Sequence, residues 1–575
     1  MEKKIPASEA MVKVLESWGV DHIYGIPGGS FNSTMDALYA EQGKIRYIQV
    51  RHEEVGSLAA VTDAKLTGKV GVVFGSAGPG ATHLIQGLYD AQMDHVPVVA
   101  LLGQVGTELM NTYGFQELNE NPMFADVSVY NRTVMTAEQL PLVVDNAIKE
   151  AYQHNGVAVV TIPVNLGTVE IPDTFISSAN TYRTSMLMPD EKDIEDALEL
   201  LKTAERPYLY IGRGLLGAED VIKEFSEHFS MPIGASALAK GIVPDAYENL
   251  MGQAGRVATK PGVEAVRLAD YILFAGSDFP FAMAFFNPNA KFVHVNIDKS
   301  TFGRRHKVDV AILGDAKETL RQMIAKGEKR PADKWFTANQ ENKKNWDAWM
   351  HSFDEATQSP LRIEPIYAQV NEMAEENAIF ISDVGNVTVD SIRHLNMNGK
   401  QKFATSGWFA TMGNAVPGGI AAKLSYPDNQ VFTLSGDGGF AMMCQGIITQ
   451  SQYHLPIINV ILTNRSLGFI EAEQEDTHQT KFGVSLVDVD FAKVAEGMGA
   501  KAYTATNLEE LKFAFEEARK VTDQPIVIDC KVEDYRPLPV EQLKIDPAIF
   551  SAEEIKEFAE KYQVHDMPAL TELLK

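Results

Sequence analysis

Residues 431–464 restrict this chain more than any other stretch. Val431-Phe432-Thr433-Leu434 is a short apolar run that ends in Ser435-Gly436-Asp437-Gly438-Gly439. A helix-length segment follows, and a second apolar run, Ile457-Ile458-Asn459-Val460-Ile461-Leu462, leads to Asn464. Two such runs on either side of a helix form a parallel strand–turn–helix–strand unit, because parallel neighbours need a long crossover and the crossover is usually helical. Asp437 and Asn464 then fall at the carboxyl ends of neighbouring strands, where open α/β sheets bind ligands. One carboxylate with neutral oxygens suits Mg²⁺, which keeps octahedral oxygen ligation and bridges to phosphate. Gly436, Gly438 and Gly439 let a diphosphate approach the backbone, and the following helix offers it free N–H groups.

The unit occurs twice. Phe74-Gly75-Ser76-Ala77-Gly78-Pro79-Gly80, a helix-length segment and His95-Val96-Pro97-Val98-Val99-Ala100 repeat the layout of 434–459, down to the His-x-Pro that opens each second strand. A repeat of this kind is a fold-level signal. Further apolar runs at 22–26, 71–74, 96–102 and 157–162 read as buried parallel strands. A polar linker is expected over 177–192, a second α/β block over 194–326, a connection with helix over 327–360 and a third block over 363–532. The expected fold is therefore α/β with three doubly wound parallel-sheet domains, at 1–180, 192–330 and 360–550, and a helical, mostly acidic tail at 551–575.

At 575 residues the chain is too long for one core. A formal net charge of −26 argues against nucleic acid or an anionic membrane as a partner, since both need a basic face. The two cysteines, Cys444 and Cys530, cannot build a disulfide framework, and each reads as a small core residue. The first eight residues lack the apolar core of a secretory signal, and no apolar run approaches a membrane span of about 18 residues. A cytoplasmic enzyme is expected.

The Gly-Asp-Gly…Asn pattern resembles the signature of enzymes dependent on thiamine diphosphate (ThDP). That cofactor needs a carboxyl group against its aminopyrimidine, and Glu53 in Arg51-His52-Glu53-Glu54 follows the apolar run Tyr47-Ile48-Gln49-Val50. A helix-dipole role for Glu53 and Glu54 is the alternative. Gly25-Ile26-Pro27-Gly28-Gly29-Ser30, Gly75 to His83, Phe115-Gln116-Glu117-Leu118-Asn119-Glu120-Asn121-Pro122, Phe409 to Gly413 and Gly468 to Thr477 occur in the same order as in the pyruvate oxidases. The resemblance to that family, phosphate-dependent flavoproteins, covers nearly the whole chain.

The resemblance implies three domains in the order pyrimidine, FAD, diphosphate. It implies oxidative decarboxylation of pyruvate with phosphate and O₂ to acetyl phosphate, CO₂ and H₂O₂: a ThDP ylide attacks pyruvate and FAD oxidises the resulting enamine. It assigns Glu53 to cofactor activation across a subunit boundary, Met412 to the apolar prop that bends ThDP, and Asp437, Asn464 and the Ser466 carbonyl to Mg²⁺. Gly29, Ser30, His83, Phe115, Gln116, Val384, Phe469 and Glu473 would line the substrate site. A homotetramer built as a dimer of dimers is implied. Arg465 and Ser466 depart from the family pattern after the metal Asn.

The middle block carries Gly212-Arg213-Gly214-Leu215-Leu216-Gly217 between a strand and a helix-like segment, a dinucleotide pattern that is weak alone. Arg256 could meet a pyrophosphate as a bidentate donor. Gly276, Ser277, Asp278, Phe279, Asp298, Asp315 and Ala316 stand at later strand ends, and with Ser236 and Lys240 they match the family's FAD positions. NAD(P) is the alternative occupant. An acetolactate synthase, a quinone-linked pyruvate dehydrogenase and a non-catalytic nucleotide-binding relative remain open. The tail offers little basic charge for membrane docking, and intact Glu53, Asp437 and Asn464 speak against a non-catalytic protein.

Overall fold

The computed structural model describes residues 3–575, so only the first two residues of the expected 1–180 domain lie outside the described residues. A short ribbon, β1 (Lys4–Pro6) against β8 (Glu170–Pro172), ties the amino terminus to the end of the first domain. Between them lie β2 (His22–Gly25), β3 (Arg46–Gln49), β4 (Gly71–Gly75), β5 (Val98–Gln104), β6 (Ser128–Thr133) and β7 (Val157–Pro163). The middle sheet contains β9 (Pro207–Ile211), β10 (Ile233–Ala235), β11 (Leu250–Gln253), β12 (Tyr271–Ala275), β13 (Lys291–Asn296) and β14 (Val310–Leu313). The third contains β15 (Ile379–Ser382), β16 (Lys402–Ala404), β17 (Val431–Gly436), β18 (Ile457–Thr463), β19 (Lys501–Ala505) and β20 (Ile526–Lys531). Each sheet is six-stranded. Every strand pair within these three sheets is parallel.

Strand order separates the domains into two kinds. The first sheet runs β3-β2-β4-β5-β7-β6 and the third β16-β15-β17-β18-β20-β19, the same topology in different sequence, which is the repeat expected from the two strand–turn–helix–strand units. The middle sheet runs β11-β10-β9-β12-β13-β14, the dinucleotide-fold order in which the chain reverses direction between its first and fourth strands. That reversal opens a crevice past the ends of β9 and β12, at Gly212 and Gly276. The central strands β4, β5, β7 and β18 are buried along their whole length, as parallel strands covered on both faces must be.

The connections follow local rules. Helix Glu191–Lys202 starts just inside the expected linker, because Asp190 caps it through the Lys192 amide. Helix Lys334–His351 supplies the helix expected in 327–360 and is capped by Asp333. The tail forms helices Ala552–Tyr562 and Leu570–Leu573, whose apolar residues pack beneath the linker helix and the middle domain. Among the described residues no helix is long and apolar enough to cross a membrane.

The first and third domains share one core. Helix Glu53–Thr67 packs on helix Ala415–Ser425, and a single buried cluster runs from Ile48 and Leu58 to Ile381 and Ile420. A β-carbon at Gly418 would lie 2.7 Å from Ile381 and 3.0 Å from Thr62, so the helices approach closely only because the residue is glycine. Buried Lys65 ends the contact. Its ammonium lies 2.7 Å from both Asp90 and Asp94 and donates to the Thr405 carbonyl at 3.0 Å. Asp94 in turn accepts the amides of Gly407 and Trp408, and Asp90 accepts the Ser406 hydroxyl. Burial works to strip the Lys65 proton, but the two carboxylates outweigh it and hold the group above its ordinary range. Lys65→Met leaves two buried carboxylates uncompensated and is expected to lower stability by about 3–5 kcal/mol. Urea denaturation followed by tryptophan fluorescence checks this, since Trp408 sits on the same network.

Candidate functional site

Three groups of residues gather at strand ends. The first forms around the turn after β4. A β-carbon at Gly28 would overlap the Ser76 hydroxyl at 2.2 Å, so the loop after β2 lies directly on this turn. Ser30 Oγ bonds Ser76 Oγ at 2.8 Å and accepts the Ala77 amide at 2.8 Å. Glu53 opens its helix under a His52 cap and is buried, with one oxygen 2.8 Å from His83 Nδ1. Its other oxygen lies 3.2 Å from the β-carbon position of Gly80. Gln116, at φ +65°, sets its backbone against Gly78. The structure thus brings Ser30, Glu53, His83 and Gln116 to one place, with Gly29 facing open space. Phe115, beside them, is 88% exposed.

The second group forms where the third sheet reverses, past β15 and β17. Asp437 is buried and accepts the Arg465 amide at 2.7 Å and the Gly438 amide at 2.9 Å. Burial raises its carboxyl against those two hydrogen bonds. Asn464 Oδ1 accepts the Ser466 amide at 3.1 Å. A β-carbon at Gly438 would meet Leu467 at 3.0 Å and Met412 Cε at 3.1 Å, and one at Gly439 would lie 2.6 Å from Asp383. The turn is therefore a cradle crowded at Gly438 and Gly439 and open at Gly436. Two further residues, missed in the sequence, face it. Asp383 is fully buried with one carboxylate oxygen unpartnered, and burial pushes its carboxyl up to about 6. Asn386 has an unpartnered buried amide nitrogen 2.6 Å from the β-carbon position of Gly468. The signal was available: Asp383-Val384-Gly385-Asn386 follows β15 much as Asp437-Gly438-Gly439 follows β17. A carboxylate, an amide oxygen and a glycine cradle edged by orphaned polar atoms fit a diphosphate with its Mg²⁺.

The third group encloses a cavity of about 700 Å³ at the crevice of the middle sheet. Arg213, Gly214, Ser236, Arg256, Gly276, Ser277, Asp278, Phe279, Asp298, Asp315 and Ala316 line it, and Asp94 and His95 of the first domain close one side. Val384 and Phe469 of the third domain also line it, so the cavity reaches the turn after β15 and helix Gly468–Asp476, next to the second group. Its size, position and strand order fit a dinucleotide. Asp315 caps helix Ala316–Lys326, whose amino end faces the cavity.

Some expected site residues stand elsewhere. Lys240 does not line the cavity: its buried ammonium is held by Asp245 at 2.7 Å and by the Leu395 carbonyl at 2.8 Å. The Gly212–Gly217 pattern is not followed at once by a helix, because the turn Arg213–Leu215 intervenes and the helix begins at Glu219. Its glycines serve close packing, since β-carbons at Gly212 and Gly214 would strike the Gly276 backbone at 2.3 and 2.8 Å. Arg213 turns to the first domain and donates to the carbonyls of Asp94 and Lys65. Arg256 pairs with Glu473 and lies over the Phe469 ring, 4.8 Å from its centre. Those two site residues are thereby joined to the middle domain. The helix that carries them, Gly468–Asp476, has no buried residue and is held by polar contacts.

Family comparisons agree with this division. Residues 5–123 match the thiamine pyrophosphate enzyme N-terminal TPP binding domain, 194–323 the central domain and 383–530 the C-terminal TPP binding domain. The chain belongs to the thiamine pyrophosphate enzymes. It is 48% identical to the pyruvate oxidase of Lactiplantibacillus plantarum, over 100% of this chain and 96% of that protein. Identity is lower, 30%, to the acetolactate synthase large subunit of Corynebacterium glutamicum, over 94% of this chain and 88% of that one. It is 29% to an acetolactate synthase of Mycobacterium bovis, over 92% and 88%.

Glu120, inside the segment that resembles the pyruvate oxidases, is buried with both oxygens unpartnered. Burial pushes its carboxyl from 4.5 up to about 8. The folded protein therefore keeps this proton across a range in which the unfolded chain releases it. The associated stability is complete below pH 4.5 and is lost as pH rises through 8. Glu120→Gln cannot ionise, so it should melt above the parent at pH 8, by on the order of 1–3 kcal/mol, and match it at pH 4. Thermal melts at the two pH values test this.

Proposed function

We propose that the chain catalyses oxidative decarboxylation of pyruvate, with phosphate and O₂ as co-substrates and acetyl phosphate, CO₂ and H₂O₂ as products. The observation that carries this reading is the dinucleotide-sized cavity walled by Val384 and Phe469, whose chain neighbours Asp383 and Gly468 stand against Gly439 and Asn464. A flavin placed there would lie beside the cradle's reacting end, which a flavin serving only structure would not need. The pyruvate oxidase relative and the Phe115–Pro122 and Phe469–Thr477 segments favour the same choice over acetolactate synthesis.

When bound, ThDP supplies a nucleophilic carbon and an electron sink, and FAD accepts the electron pair. The chain's own residues do the rest. Asp437, Asn464 and the Ser466 carbonyl would hold Mg²⁺ and, through it, the diphosphate. Met412 lies against Gly438 and would press on the cofactor between its two ends. Glu53 would hold a proton against the pyrimidine ring, with His83 as its hydrogen-bond partner on the solvent side. Ser30 and Gln116 supply donors for the oxygens of pyruvate or phosphate, and Glu473 a carboxylate near Phe469. The cavity residues Ser236, Arg256, Ser277, Asp278, Asp298 and Asp315 would hold FAD.

Within one chain no hydrogen bond joins Glu53, His52 or His83 to Asp437, Asn464 or Met412 among the described residues. Phe115 and Tyr113 stand exposed in the segment that reaches Gly78 through Gln116. Both facts support a homo-oligomer in which Glu53 completes a neighbour's site, and the family resemblance favours a dimer of dimers. Two unpaired cysteines accord with a cytoplasmic setting.

Under anaerobic conditions pyruvate should bleach the flavin of the protein loaded with FAD, ThDP and Mg²⁺. Oxygen should then restore the colour with H₂O₂, and acetyl phosphate should form only with phosphate present. Acetolactate without bleaching would give the site to the synthase reaction. Glu53→Gln should slow exchange of the ThDP C2 proton by about 10²–10⁴-fold while flavin content stays constant. NMR of quenched samples in D₂O measures this.

A further inference from the structure

Asp383 follows β15 at the reversal point of the third sheet. One oxygen accepts two amides, that of Val384 at 2.8 Å and that of Gly413 at 2.7 Å. The other has no partner. The side chain does not cap the helix that follows, because that bond goes from Thr388 to the Asp383 backbone carbonyl at 2.8 Å. A fully buried carboxylate oxygen without a partner costs about 1–3 kcal/mol. The carboxylate instead joins two separate segments, at Val384 and at Gly413, beside the cradle, and that placement asks for a functional reason.

Two walls of the cradle meet at this carboxylate. On one side it presses on the metal-bearing turn: a β-carbon at Gly439 would lie 2.6 and 3.0 Å from its two oxygens. On the other it holds Gly413, which sits at φ +88° and could not carry a β-carbon without meeting Met443 at 2.7 Å. Gly413 is thus pinned by its amide and by lack of room, in a conformation that favours glycine. Met412, next to it, brings its terminal methyl to 3.1 Å from the β-carbon position of Gly438. Other ties of this loop start from Thr411, on the other side of Met412: its hydroxyl accepts from Gln86 and donates to the Met412 carbonyl at 3.0 Å, and its amide donates to Ser406.

We propose that Asp383 is a positioning residue that sets the distance between Met412 and the Gly-Asp-Gly turn, and so the shape into which the cofactor is pressed. This rests on the ThDP reading of the cradle. Asp383 is buried behind the site and does not line the cavity. It acts through Gly413 and Met412, and its other face limits how near the turn at 436–439 can come.

The test uses Asp383→Ala, Asp383→Asn, Met412→Ala and the double variant with alanine at both positions. In cofactor-free protein, mass-spectrometric amide exchange over 410–415 should rise about tenfold in Asp383→Ala, as expected when a buried acceptor is lost. It should stay near wild type in Asp383→Asn, which keeps an acceptor oxygen. In the loaded protein, Asp383→Ala should slow C2 proton exchange by up to about 100-fold, the scale of a 1 Å misplacement. Flavin content should not change. In the Met412→Ala background the same substitution should add less than about twofold, because the two residues act as a unit. Wild-type amide exchange in Asp383→Ala, or full additivity with Met412→Ala, would overturn the proposal. If wild-type protein fails to quench its tryptophan fluorescence with ThDP and Mg²⁺, the cradle reading itself falls and this role with it. Should Asp383→Ala not fold, Asp383→Ser replaces it in the cycle, its hydroxyl being too short to reach Gly413.

Discussion

One buried ammonium ties the molecule together. Lys65 sits near the end of the helix that Glu53 begins, and it binds the carboxylates of Asp90, in helix Ile85–Met93, and of Asp94, just past that helix. Those carboxylates hold residues 406–408 of the third domain, and Arg213 of the middle domain donates to the carbonyls of Lys65 and Asp94. Three domains therefore converge on a single charge cluster. A buried ion pair is weak evidence of stability in itself, but it punishes every arrangement that leaves one partner alone. Asp94, Arg213, Ser406 and Gly407 also line the cavity, so the cluster that orients the domains forms part of the cavity wall.

Glycine explains how the loops come close enough to build a site. At Gly28, Gly212 and Gly439 any β-carbon would overlap a neighbouring loop. These positions join pairs of strand ends at the reversal points of the three sheets, where a crevice would otherwise be only a gap. Charged and polar groups are then presented from backbone that cannot move far. The exception is helix Gly468–Asp476, which has no buried residue and depends on polar ties such as Arg256 to Glu473. The most mobile wall of the site is expected to be the one that carries Phe469.

Much of this was legible from residue order. The Gly-Asp-Gly and Asn pair lie at the ends of β17 and β18, and the repeat of 74–100 at 434–459 became two sheets of identical strand order. Other readings needed the third dimension. Lys240 follows β10 as a cofactor-binding residue might be expected to, yet its charge is consumed by Asp245 and the Leu395 carbonyl. Gly212 and Gly214 look like part of a phosphate loop, and both pack closely against Gly276, with Gly214 also lining the cavity. Asp383 and Asn386 stand in a strand-to-helix turn that resembles Gly436-Asp437-Gly438, but only the fold shows that the two turns face each other.

The sequence by itself determined the α/β units, their turns and the chemical types at the strand ends. Those depend on hydrophobic period and on glycine, asparagine and aspartate in turns, which act over a few residues. Tertiary structure alone decided which strand ends share a crevice. It set Val384 and Phe469 on the middle domain's cavity, and it left Glu53 with His83 rather than with Asp437. Those outcomes follow from strand order, helix packing at Gly418 and the Lys65 cluster, which join residues hundreds of positions apart and leave no mark on the local pattern.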